Sequence, residues 1–270
     1  MTLFTATISY NNPKVLKESI DKYYELCYDK PDYHLVLDNN YPLLLEEQKE
    51  VFDYISKEYG CIVYNSGKNL GLKQGSMYLF NEAGKFHNFK DEDIIIVYDS
   101  NSYPITKNFD KALTDVFKNP EIGICSLTNK TKPIENIIRD EITNYNYYLN
   151  FVMSNNSSIT SISYKAHLIL FFGFYMFSET YGDGSNYLQA YEKLNKHNLK
   201  FVILNDYEEN IHYLTSKEDS EYKKYKNFII SVQPKDYISF DKFLELKLYN
   251  KIKNYTKINK NISLFTGETY

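Results

Sequence analysis

Asp93-Ile94-Ile95-Ile96-Val97-Tyr98-Asp99-Ser100-Asn101 is the stretch that decides the fold. A short unbroken run of β-branched and aromatic residues reads as a strand buried on both faces. Its abrupt end in Asp-Ser-Asn puts polar side chains at the carboxyl edge of a sheet. The same rhythm repeats toward the N-terminus. Leu3 to Ser9 reads as a strand, and Tyr10-Asn11-Asn12-Pro13 as a turn with proline opening a helix. Val15, Leu16, Ile20, Tyr23, Tyr24 and Cys27 then recur at helical spacing. His34 to Leu37 is a second strand ending in Asp38-Asn39-Asn40. Leu43 to Tyr59 is a second helix, Cys61 to Tyr64 a third strand, and Gly71 to Ala83 a third helix. Strands alternating with helices predict a doubly wound α/β sheet, which takes ligands beyond the carboxyl ends of its strands. Tyr10-Asn11, Asp38-Asn39, Asn65 to Asn69 and Asp99-Ser100-Asn101 should therefore converge on one edge.

Toward the C-terminus the pattern predicts a helix over Phe109 to Phe117 and a strand over Ile122 to Ser126. Asn129 to Ser158 shows little periodicity and reads as a loop or a helical insertion over the site. Ser161 to Phe177 is strongly apolar, Asn186 to His197 reads as a helix, and Lys200 to Leu204 as a strand. Two further helices, Glu218 to Lys226 and Phe240 to Ile252, would form a C-terminal helical extension.

Composition narrows the function classes. A net charge of -4 gives no global basic field to draw the chain to nucleic acid or anionic lipid. The lysines of Lys223-Lys224-Tyr225-Lys226 and of Lys247 to Lys260 read as solvated helical faces. Cys27, Cys61 and Cys125 are odd in number and form no CxxC pair, which favours a reducing compartment. The start of the chain lacks the charged and apolar regions of a secretory signal. The longest apolar run, Leu168 to Phe177, is shorter than the ~20 residues of a membrane span. A cytoplasmic protein, or one peripheral to the inner face of a membrane, is the expectation. No GxSxG, HExxH or Walker A pattern occurs, so hydrolase readings of those types fall away.

Four constellations could carry chemistry. Asp99 and Asn101, two residues apart, can offer oxygen ligands to one Mg²⁺ or Mn²⁺ shared with phosphate, although an Asp at a strand end also caps turns. Asp38 can accept hydrogen bonds from a ribose or a base N–H, or close an Asx turn. Asn69-Leu70-Gly71-Leu72-Lys73-Gln74-Gly75 opens a helix with two glycines four apart. They either admit a ligand near the backbone or pack the helix closely. Asp183, in Tyr181-Gly182-Asp183-Gly184-Ser185, is a general base or a helix N-cap, and His212 a third metal ligand or phosphate contact.

The order of these motifs resembles GT-A fold glycosyltransferases of the family 2 type, including rhamnosyltransferase-like members. Tyr10-Asn11-Asn12-Pro13, Leu35 to Asn39, Asn69 to Gly75, Asp99-Ser100-Asn101, Gly173-Phe174, Tyr181-Gly182-Asp183 and Phe201 to His212 carry the resemblance, which covers residues 2 to 215. It implies a Rossmann-like GT-A fold with a mixed, mostly parallel sheet flanked by helices. The GT-A domain would be residues 1–215, with a nucleotide-binding half over about 1–105, an acceptor half over about 106–215, and the extension over 216–270. The implied reaction is transfer of a hexosyl or pentosyl group from a nucleotide-sugar donor to an acceptor hydroxyl, with inversion. The resemblance places Tyr10, Asn11, Asp38, Asn69, Gly71, Lys73 and Asp99 at the donor. Asp99, Asn101 and His212 would hold the divalent cation, and Asp183 or its rival Glu179 would act as base. The acceptor would be a glycan or glycolipid, or a modified phage DNA base, and a homo-oligomer is compatible with all of these. Two departures stand out: Asn101 replaces the second DxD carboxylate, and the acidic pair near the acceptor is thinned to Asp183. They leave room for an inactive module that binds a nucleotide or glycan.

Overall fold

The computed structural model describes residues 1–10, 12–39, 46–68, 70–128, 136–149, 159–171 and 193–211, with 221, 224–225 and 245–247 besides. Its ordered elements begin with β1 (Leu3–Ser9), α1 (Pro13–Leu26), β2 (Tyr33–Asp38), α2 (Glu46–Tyr59) and β3 (Ile62–Asn65). They continue with α3 (Gly71–Ala83), β4 (Ile94–Asp99), β5 (Ser102–Pro104), α4 (Phe109–Asp115), a 3-10 turn (Val116–Lys118) and β6 (Ile122–Thr128). The last are β7 (Ile138–Arg139), β8 (Asn146–Leu149), β9 (Ile159–Ser163), α5 (Tyr164–Phe171) and β10 (Lys200–Ile211).

All but β5 lie along one sheet in the order β3-β2-β1-β4-β9-β6-β10-β8-β7, and β5 pairs with β10. Strands β3, β2, β1 and β4 run parallel, as do β6 and β10. β9 runs antiparallel between β4 and β6 and joins the two parallel groups. This mixed, mostly parallel sheet flanked by helices is the expected Rossmann-like GT-A architecture. Its second half is more strand-rich than the sequence suggests. Part of the segment read as a loop or helical insertion forms β7 and β8, while β10 continues past Leu204 to Ile211, along the Phe201 to His212 stretch that carries the resemblance. β7, with two residues, has no strong local signal, and Asn205-Asp206 interrupts the apolar pattern of β10. The apolar stretch from Ser161 divides into β9 and α5, and its remainder lies outside the described residues. Of the helix read over Asn186 to His197, the structure describes Lys193–Lys196 as helical. The C-terminal extension lies outside the described residues apart from the isolated positions above.

The central strand works as its sequence implies. In β4, Ile94, Ile96 and Tyr98 enter the hydrophobic cluster that also holds Leu16, Ile20 and Tyr23 of α1 and Phe52 and Ile55 of α2. Ile95 and Val97 enter the cluster on the other face with Leu79 and Ala83 of α3. Each isoleucine removed from water on such a face contributes about 1.5–3 kcal/mol. β1 is split differently. Phe4, Ala6 and Ile8 pack on the α3 side, while Thr5, Thr7 and Ser9 are buried in between. Those hydroxyls are all satisfied: Thr5 meets Tyr23 Oη at 2.8 Å, Thr7 meets His34 Nε2 at 3.0 Å, and Ser9 Oγ accepts from Gln48 Nε2 at 2.6 Å. Buried polar groups left unpaired would each cost about 1–3 kcal/mol, so these bonds fix α1 and α2 on the sheet.

Candidate functional site at the carboxyl edge

Strand register assembles the site. Across the carboxyl edge Ile8 pairs with Asp99, Ser9 with Asp38, and Asp38 with Asn65. Asp38 and Asp99 therefore flank the end of β1, their backbones about 10 Å apart at the usual interstrand spacing. Both carboxylates are half-buried, and Tyr10, also half-buried, follows β1 directly between them.

Asp38 is held from the β3 side, where Asn65 Nδ2 donates to its Oδ2 at 2.9 Å. The other end of that amide accepts from the Gly67 N–H at 2.7 Å. Gly67 takes φ +73, a left-handed conformation that glycine adopts without steric cost, and the turn leads into α3. At the far end of the turn the Leu70 N–H donates to Asn39 Oδ1 at 2.7 Å, and the Asn39 N–H donates to the Ser9 carbonyl at 3.0 Å. Asn39 is buried, so this bond stands in a protected place.

Gly71 is the first residue of α3. Gly75 has a packing role, since a Cβ there would stand 2.8 Å from Leu37 Cδ2 and 3.1 Å from Ile8 Cδ1. Of the two readings of the glycine pair, close helix packing holds at Gly75. The side chain of Lys73 is outside the described residues, as are Asn11 and Asn69.

Asp99 and Asn101 sit at the two ends of the turn between β4 and β5, and Asn101 is half-buried. Ser19 of α1 secures this turn from below. Tyr98 Oη donates to the Ser19 carbonyl at 2.8 Å, and Ser19 Oγ donates to the Ser102 carbonyl. One buried serine thus holds the residues on either side of Asp99-Ser100-Asn101. β5 then pairs with the end of β10, placing Ile211 opposite Ser102. Asn210 Nδ2 donates to Tyr103 Oη at 2.6 Å on the same pair.

The donor set suits a hard divalent cation: one carboxylate and one amide oxygen on a two-residue spacing, partly open to solvent. Among the described residues no group of three or more His, Cys, Asp or Glu could hold a metal ion. Remaining ligands would come from phosphate, water or other residues. His212, Asp183 and Glu179 lie outside the described residues.

Sequence reasoning missed three supports of this edge. Ser19 is an inconspicuous helical serine, Gln48 reaches Ser9 from α2, and Glu209 is a buried carboxylate whose Oε2 accepts from the Ile159 N–H at 2.8 Å. Only Glu209 had a signal, as an acidic residue within a predicted sheet region. At the opposite edge a pocket of about 290 Å³ is lined by Met1, Ile94, Lys118, Ile122, Lys165 and Leu199, remote from the acidic row.

No protein-family model matches this chain, and no curated protein matches it either. Solved structures do match in fold. GalNAc-T7 with UDP, GalNAc and Mn²⁺ superposes with a TM-score of 0.62 at 11% identity over 93% of this chain and 54% of that one. Staphylococcus aureus TarS gives 0.51 at 12% identity, over 92% of this chain and 43% of TarS. A mannosyltransferase from Pyrobaculum calidifontis, with GDP-Man and Mn²⁺, gives 0.52 at 11% identity, over 92% of this chain and 69% of that one. The chain thus spans about half the length of the first two. At these identities the likeness is one of fold, and that fold is the GT-A type. Among the described residues no helix is long and apolar enough to cross a membrane.

Proposed function

We propose that this chain is a glycosyltransferase that moves a sugar from a nucleotide-sugar donor to an acceptor hydroxyl, with inversion at the anomeric carbon. The observation that carries the reading is the register that sets Asp38 and Asp99 on either side of β1 at the carboxyl edge. It is supported by a fold shared with proteins solved with UDP and Mn²⁺ and with GDP-Man and Mn²⁺.

In this reading Asp38, with Tyr10 and Asn11, binds the nucleoside, its carboxylate accepting from ribose hydroxyls or a base N–H. Asn69, Gly71 and Lys73 face the diphosphate, where backbone N–H groups and a lysine offset its charge. Asp99 and Asn101 would hold Mn²⁺ or Mg²⁺, which supplies electrostatic stabilisation of the leaving diphosphate. His212 directly follows Ile211, whose partner is Ser102, and is the proposed third ligand. Asp183, or Glu179 in its place, takes the proton from the acceptor hydroxyl as that oxygen attacks. The GT-A domain would occupy residues 1–215, with residues 216–270 as an extension. The acceptor in this reading is a glycan or glycolipid, with a modified DNA base as the further candidate, and the setting is the cytoplasm or the inner face of a membrane.

One observation favours a second reading. Asn101 is a neutral, weaker ligand than the carboxylate of a complete DxD pair, which suits an inactive module that binds nucleotide or glycan. Thermal-shift binding of UDP, GDP, dTDP, CMP and their sugars, with and without Mn²⁺, followed by product analysis, decides between them. Stabilisation by one nucleoside diphosphate that grows with Mn²⁺, with that diphosphate released on transfer, supports the enzyme. Stabilisation without turnover supports the module, and no stabilisation removes the donor-site assignments of Asp38 and Asp99.

A further inference from the structure

We infer that Asn39 and Asn65 are positioning residues that preassemble the donor site, Asn65 by orienting the Asp38 carboxylate and both by clamping the connection between β3 and α3 at Gly67 and Leu70. The inference rests on the proposed donor site and extends it to two residues that touch no reacting atom.

The turn between β3 and α3 is caught at both ends by side-chain amide oxygens. Asn65 Oδ1 takes the Gly67 N–H at 2.7 Å, and Asn39 Oδ1 takes the Leu70 N–H at 2.7 Å. Within the turn Ser66 Oγ donates to the Lys68 carbonyl at 2.6 Å. Each asparagine has a second attachment to a neighbouring strand end, Asn65 through its side chain to that of β2 and Asn39 through its backbone to that of β1. Asn65 Nδ2 donates to Asp38 Oδ2 at 2.9 Å, and the backbone of Asn39 is bonded to the Ser9 carbonyl at 3.0 Å. The bond pattern fixes the Asn65 amide orientation, since the oxygen must face an N–H and the nitrogen a carboxylate. The ends of β1, β2 and β3 and the start of α3 are thereby tied into one unit.

A turn built from small and polar residues, with a left-handed Gly67, has many conformations open to it when untied. If the tie were absent, nucleotide binding would have to order the turn and turn Asp38 inward. That cost would be drawn from affinity. The sites of the two asparagines differ in a useful way. Asn39 is buried, and its side-chain oxygen holds the turn clamp, while Asp38 Oδ2 takes the Asn65 amide. Asn65 is exposed and carries both the clamp and the Asp38 contact.

The test is calorimetric titration of UDP and GDP, with Mn²⁺, into the full chain and four variants. Asn39→Ala removes the acceptor for the Leu70 N–H and should weaken the bound nucleotide about tenfold, the equivalent of one lost hydrogen bond. Asn39→Asp keeps an acceptor for the same N–H and should bind more tightly than Asn39→Ala. Asn65→Asp keeps the acceptor for Gly67 but sets a carboxylate against Asp38, and should also weaken binding about tenfold. Asp93→Asn is the control for general destabilisation. Asp93 lies at the opposite edge, where its carboxylate accepts from His87, the Thr2 N–H and the Lys90 N–H. It should lower thermal stability and leave nucleotide affinity unchanged. Affinity equal to wild type in both Asn39→Ala and Asn65→Asp overturns the inference, as does an equal loss in Asp93→Asn. If Asn39→Ala does not fold, the exposed Asn65→Asp decides alone. No binding by the wild-type chain overturns the donor-site reading and this inference together.

Discussion

Tyr98 and Ser19 are locked together beneath the Asp99–Asn101 turn: the tyrosine hydroxyl donates to the serine carbonyl at 2.8 Å and lies 2.9 Å from its Oγ. Both residues are fully buried, and burial pushes the Tyr98 phenol well above its usual range. The phenol is thus a neutral donor at neutral pH. Tyr98→Phe should therefore lower unfolding free energy by about 1–2 kcal/mol, the cost of losing one buried hydrogen bond. Urea unfolding measures this, and an unchanged midpoint would mean that Ser19 is satisfied without the tyrosine.

Asp99→Ala should leave stability within about 1 kcal/mol of wild type, because the carboxylate is half-buried at the end of its strand. The same variant should lose the Mn²⁺-dependent part of nucleotide stabilisation and all sugar transfer. A melting-temperature gain with Mn²⁺ that persists in Asp99→Ala would move the cation elsewhere.

Gly75→Val tests the close approach of α3 to the sheet. Its Cβ would overlap Leu37 and crowd Ile8, and the γ-methyls would deepen the overlap. Overpacking of this kind costs about 1–3 kcal/mol. Chemical denaturation should show it, with nucleotide affinity falling as well, because Leu37 precedes Asp38 directly. A variant as stable as wild type would show that the helix can shift without cost.

Acid should destabilise the fold before its carboxylates titrate. Burial lowers the His34 pKa from 6.5 to about 3, and its ring bonds Thr7 and Tyr24. Burial likewise lowers His167, which stacks on Phe80, to about 4. Folded, both rings stay neutral below pH 6.5, while the unfolded chain takes up protons there. Stability is thus full above about pH 6.5 and falls by up to about 1.4 kcal/mol per pH unit for each ring as pH drops toward those values. Asp93 adds a loss at lower pH. Its burial favours the neutral form, but hydrogen bonds from His87, Lys90 and Thr2 outweigh it and hold the pKa below the usual carboxylate range. Denaturant midpoints at pH 7 and pH 5 should differ, and His34→Gln should reduce the difference. Equal midpoints would show that His34 is charged in the fold.

Much of the first half was legible because its signals are local. Ile94 to Tyr98 can only be a doubly buried strand, Pro13 opens α1 as a proline at the first helical turn does, and α3 begins and ends where Gly71 and Ala83 indicate. β7 and β8 were not legible, because β7 has two residues and the four of β8, Asn146 to Leu149, stand in an Asn- and Tyr-rich stretch with no β-branched run. The antiparallel β9 was hidden in an apolar stretch that continues into a helix, and direction in a sheet leaves no mark on a sequence.

What the sequence determined by itself is the set of strand ends and the residues standing on them. Tyr10, Asp38 and Asp99 stand at the ends of runs whose burial is fixed by hydrophobicity, a property of each segment alone, and Asn65 ends the less buried edge strand β3. What only the tertiary structure decided is which ends are neighbours and what holds them. The register of Ser9 with Asp38 and Ile8 with Asp99, the grip of Asn39 on Leu70 and the place of Ser19 under the Asp99 turn join residues 29 to 91 positions apart. Those relations depend on sheet order and helix packing, which the whole chain settles together and no single segment encodes.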